Sequence, residues 1–174
     1  MAGLRYFLQT IDFVNEWIGK MSCFFLPAMM VAIVCEVIAR YIFNSATTWS
    51  FETSQFLFCG MVALGGGYTL LYGGHVNVEI VYERFGKRTR AVIDLITALL
   101  FFFFIILFLR ESGVMALESV RIREHSESSW GPALCPLKVV IFIGVFLMIL
   151  QGIAKFIRDL KTALAGEVDG KEAQ

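Results

Sequence analysis

The sequence predicts an all-α integral membrane protein with four transmembrane helices, and two observations carry that prediction. The 174-residue chain is 57% apolar and holds 17 phenylalanines, far from the charge-rich mix of a soluble domain of this length. Crossing ~30 Å of hydrocarbon takes about 20 mostly apolar helical residues, and windows of that length fall roughly at residues 18–43, 51–72, 91–109 and 134–157. In lipid every backbone polar group must be satisfied internally, and these runs lack the alternation of barrel strands, so each window reads as a helix. Residues 1–165 then form a single four-helix membrane domain, with 166–174 as a polar C-terminal tail.

Before the first span, Phe7, Ile11, Val14 and Ile18 recur at helical spacing beside Gln9, Asp12, Asn15 and Glu16. That pattern predicts a short interfacial helix at the N-terminus. The segment has no short apolar core followed by a small-residue cleavage site, so the first span is expected to stay in the mature protein.

Charge sets the expected orientation. Formal net charge is zero, and no nucleic-acid partner is expected. Arg5, Arg84, Lys87, Arg88, Arg90, Arg158, Lys161 and Lys171 fall on one side of the predicted spans. Arg110, Arg121, Arg123 and Lys138, on the other, are interleaved with Glu111, Glu118, Glu124 and Glu127, and the loop "NSATTWS" has no basic residue. The positive-inside rule therefore predicts both termini in the cytoplasm. Residues 73–90, "GGHVNVEIVYERFGKRTR", become a cytoplasmic connection, within which Val78, Val81, Tyr82 and Phe85 suggest a second short interfacial helix.

Several residues are candidates for more than lipid contact. Glu36 and Arg40 lie four apart in the first span, on one helix face and in the favourable order for an ion pair. Either one alone would cost on the order of 2.5–3.5 kcal/mol at the helix centre, so they are expected to pair or to face a subunit interface. The other reading of Glu36 is a proton site, as in a small proton-coupled exporter acting as a homo-oligomer. Gly60, Ala63 and Gly67 in the second span permit close helix packing. Ser50 stands where an N-cap would, with Glu52 in the first turn. "SATTW" and "SESSW" both precede spans, as interfacial Trp and capping Ser do. Phe101 to Phe104 cover every side of one helical turn, so part of that surface meets lipid or a partner.

The two histidines, His75 and His125, fall on opposite sides in this topology and cannot share one metal or haem site. No Cys-x-x-Cys, P-loop, GxGxxG or His-Glu-x-x-His pattern occurs. Neither an enzyme nor a cofactor is expected.

Three runs, "EVIARYIFNSATTWSFE", "GGGYTLLYGGHVNVEIVYERFGKRTRAVIDL" and "SSWGP", resemble the small membrane subunit of tripartite ATP-independent periplasmic (TRAP) transporters, the DctQ-type family. The resemblance covers about residues 10–160, and its positions include Arg40, Asn44, Trp49, Glu52, His75, Val76, Trp130 and Pro132. It implies a transport component of a bacterial inner membrane. A large multi-span membrane subunit would carry the pathway, a periplasmic substrate-binding protein would deliver an organic acid, and a sodium gradient would usually drive uptake. The small subunit would brace the large one, with His75 and Asn77 fixing the cytoplasmic connection.

Overall fold

A computed structural model describes residues 2–72 and 87–169, with side-chain environments over 6–72, 97–158 and 160. The expected interfacial helix after the second span, His75 and Asn77 lie outside the described residues. The helices are α1 (Ala2–Ser22), α2 (Phe25–Tyr41), α3 (Ser50–Leu71), α4 (Lys87–Ile122) and α5 (Cys135–Asp169). Among the described residues there is no strand, only an isolated bridge between His125 and Ala133. Among the described residues four helical stretches are long and apolar enough to cross a bilayer, the first of them running from Tyr6 to Tyr41 through both α1 and α2.

Pro27 explains the break between α1 and α2. A proline ring clashes with the carbonyl four residues back, here that of Cys23. The chain answers with tight turns, Phe24 N–H to Met21 O at 3.1 Å and Leu26 N–H to Cys23 O at 3.3 Å. Past α2, Asn44 takes a left-handed φ of 50°, which Asn tolerates better than most residues. Ser45 N–H then reaches back to Ala39 O at 3.0 Å, and the helix stops.

α3 is the hub, packed against α1, α2 and α5, while α4 packs chiefly on α5. Its small residues face three different neighbours. A Cβ on Gly60 would lie 3.0 Å from Phe25 of α2, and one on Gly67 would lie 2.0 Å from Asn15 Oδ1 of α1. Opposite Ala63, Gly144 of α5 comes so close that a Cβ there would sit 2.3 Å from the Ala63 carbonyl oxygen. These pairings make α1 and α2 antiparallel to α3, and α5 parallel to it.

One expectation is corrected. Ser50 is not an N-cap: Trp49 takes that position with no side-chain bond, and the Ser50 hydroxyl instead donates across to Ala32 O of α2 at 2.7 Å. α4 runs on past Arg110 to Ile122, with Ile105, Ser112, Ala116 and Ser119 forming one buried stripe along it. α1 turns a mixed polar and apolar face inward. Phe7 is exposed and Val14 and Ile18 are half-buried, while Leu8, Ile11, Asn15, Gly19 and Ser22 are buried. Leu8 and Ile11 form a core cluster with Ala154 of α5, so α1 belongs to the bundle.

Gly144→Ala is expected to lower thermal stability in detergent by about 1–3 kcal/mol, since overpacking here meets backbone rather than a flexible side chain. Gly65→Ala, whose Cβ would meet only Ser22 Oγ at 3.7 Å, is expected to leave the unfolding midpoint near wild type.

Candidate functional site

Polar side chains gather at both ends of the bundle. At the end holding the α2–α3 and α4–α5 loops, each loop is anchored by a carboxylate. Glu36 Oε1 accepts from Arg40 Nε at 3.0 Å and Nη2 at 2.6 Å, and Oε2 accepts from Thr47 N–H at 2.9 Å and from the Thr47 hydroxyl. Four donors thus converge on one carboxylate, and the helical pair also ties down the following loop. Such crowding leaves little acceptor capacity for a proton or a cation.

Glu52, in the first turn of α3, does the same for the other loop. Its Oε1 accepts from the Ser126 hydroxyl and its Oε2 from Ser128 Oγ at 2.9 Å. Ser128 Oγ in turn accepts from Gly131 N–H at 3.1 Å, where φ is 59°. Ser126 N–H donates to Pro132 O at 2.9 Å, which closes the loop beside Trp130. One turn further, Glu124 pairs with Lys138, and the Cys135 thiol donates to Ser119 O at 2.9 Å. His125 is exposed in this loop, its Nδ1 2.6 Å from Arg123 O.

The other end holds a polar relay for which the sequence offered only its separate members. Asn15 and Gln151, each 1% exposed, lie on α1 and α5. Asn15 Nδ2 donates to Gln151 Oε1 at 3.0 Å and to Ile11 O at 3.0 Å. Gln151 Nε2 donates to Asp12 Oδ1 at 2.9 Å, and Arg158 Nη2 donates to the same oxygen at 2.6 Å. Asn15 Oδ1 has no conventional donor and lies against the Cα of Gly67, where a weak Cα–H···O contact is the available compensation. Gln151, alone among apolar neighbours in the last span, was the visible signal. Its partner was not.

The expected site residues therefore divide into groups. Glu36 and Arg40 meet each other, Glu52 meets the loop carrying Trp130 and Pro132, and Asn44 ends α2. Trp49 and Trp130 are both exposed near the loop end, and Gly60, Ala63 and Gly67 face three separate helices. No nucleophile and base are brought together in this set. Its chemistry is that of holding helices and loops in place.

A family model described as "Tripartite ATP-independent periplasmic transporters, DctQ component" matches residues 29–162. The chain belongs to this DctQ family. A curated relative, the C4-dicarboxylate TRAP transporter small permease protein DctQ of Vibrio cholerae serotype O1, is 29% identical over 88 residues. That match takes in 51% of this chain and 37% of the relative. The DctQ match includes both carboxylate anchors and Gln151, but it begins after α1, so Asp12 and Asn15 lie outside it.

The Glu124–Lys138 pair gives the loop a pH dependence. Hydrogen bonding from Lys138, and secondarily from Ser119, holds the Glu124 carboxyl below its ordinary value of 4.5, against an opposing effect of burial. A depressed carboxylate pKa contributes stability that is present above the unfolded value and is lost as pH falls through the folded one. The protection factor of the Leu134 amide, whose N–H donates to Glu124 O at 2.9 Å, is accordingly expected to fall below about pH 4.5. Glu124→Gln should flatten that profile.

Proposed function

We propose that this DctQ-family chain is the scaffold subunit of a secondary active importer of an organic acid. It would work in a bacterial inner membrane with both termini cytoplasmic, beside a large multi-span subunit and a periplasmic substrate-binding protein, with sodium as the coupling ion. The match over residues 29–162 carries this reading. The name of the Vibrio cholerae relative makes a C4-dicarboxylate the first substrate to assay. The packing supports a bracing role, because buried polar side chains bond inside the bundle, Asn15 to Gln151 and Ser50 to Ala32 O, and large apolar ones turn outward, as in Phe103, Phe104, Leu107 and Phe108 of α4. Such a surface suits lipid or an apolar partner.

Glu36 and Arg40 act in this reading as an internal brace of the α2–α3 hairpin, and the four donors on Glu36 favour that role over proton coupling. His75 and Asn77, with the connection they lie in, would be fixed against span ends or the large subunit.

Co-expression with a large TRAP subunit tests the proposal. The expected result is a stable complex whose yield falls with Glu36→Gln while its substrate affinity stays near wild type. A transport-active homo-oligomer without the large subunit would contradict it. So would Glu36→Gln that assembles normally but selectively loses proton or sodium dependence.

A further inference from the structure

We propose that the groove between α2 and α3 binds one membrane phospholipid, with its phosphate on Arg40 and one acyl chain lying along the groove toward the membrane middle. The groove has a volume of about 380 Å³, within the roughly 300–1,000 Å³ typical of small-molecule sites. Its chemistry is graded. Glu36, Arg40 and Thr47 line the end nearest the α2 C-terminus, and the rest is mainly apolar, with Met29, Ile33 and Phe58 beside the polar Ser54 and Gln55.

Dimensions agree with that occupant. From Arg40 back to Met29 is about 16 Å of helix at ~1.5 Å per residue, close to half of the ~30 Å hydrocarbon thickness and so to one leaflet. Arg40 also lies one residue from the end of α2, which puts its long side chain within reach of the headgroup layer.

Arg40 is set to receive an anion. Glu36 Oε1 holds Nε and Nη2, which fixes the guanidinium by one edge and points the other away from the pair. The side chain remains 61% exposed, and among the described residues its outward N–H groups make no hydrogen bond. A phosphate diester offers the paired acceptors that this fork matches. An apolar helix laid over the same groove would cover those N–H groups without replacing their water. The proposal does not depend on which side of the membrane this end faces, nor on the transport reading.

Native mass spectrometry of the full-length protein, extracted from bilayers of phosphatidylglycerol in phosphatidylcholine, tests the site. Wild type is expected to retain one phosphatidylglycerol per chain through delipidation. Arg40→Gln should weaken retention by about tenfold, from the loss of one charge-assisted bond, and Arg40→Lys should recover part of it. Ile33→Trp keeps the charge but fills the groove from its outer wall, and should also expel the lipid. It covers the case in which Arg40→Gln fails to fold. The proposal is overturned if either folded variant keeps the wild-type lipid, or if excess inorganic phosphate alone displaces it. Cross-linking of Phe58→Cys to a neighbouring subunit instead of to a photoreactive lipid would overturn it as well.

Discussion

The bond between Asn15 and Gln151 is the contact on which the arrangement of this bundle depends. Two carboxamides, each nearly inaccessible, sit where no bulk water can serve them, and an unpaired amide in an apolar medium is costly. Pairing across α1 and α5 fixes the register of both helices. That register brings Asp12 to Arg158 and Leu8 and Ile11 to Ala154. It also requires glycine at position 67, because the space a Cβ would take there is filled by the Asn15 amide.

The same constraint shapes the whole molecule. Lipid tails are as apolar as leucine, so burying leucine drives little helix association in a bilayer, and small or polar residues turn inward instead. The largest fully buried side chains among the described residues are accordingly Gln151, Asn15, Ser50 and Ser119, while many phenylalanines, Phe103 and Phe104 among them, are exposed. At the loop end, Glu36 and Glu52 hold the two connections by hydroxyl and amide donors, and at the other end Asp12 holds α5 through Gln151 and Arg158. Ties of this kind at both ends hold the helices of the bundle to one another.

Much of this was legible in the sequence because hydropathy and spacing are local. The four apolar windows and the i,i+4 spacing of Glu36 and Arg40 needed no knowledge of the fold. What was illegible depended on partners far along the chain. Nothing near Glu52 points to Ser126 and Ser128, more than seventy residues on, and nothing near Asn15 points to Gln151. The inward face of α1 was not legible, since the apolar spacing of Phe7, Ile11, Val14 and Ile18 carries no sign of the buried Asn15, Gly19 and Ser22 beside it. The continuation of α4 past Arg110 was not legible, because the charges at Arg110 and Glu111 lower hydropathy, whereas the stripe of Ser112, Ala116 and Ser119 that packs the helix carries no hydropathy signal.

The central claim is that Asn15 and Gln151 hold α1 in the bundle as a pair. A double-mutant cycle on Asn15→Ala and Gln151→Ala, read by reversible unfolding in mixed micelles, measures this directly. Each single change should destabilise, and the double change should cost less than their sum, with a coupling energy of about 0.6–1.7 kcal/mol, as for interhelical hydrogen bonds in membranes. Additivity to within about 0.3 kcal/mol would contradict the claim.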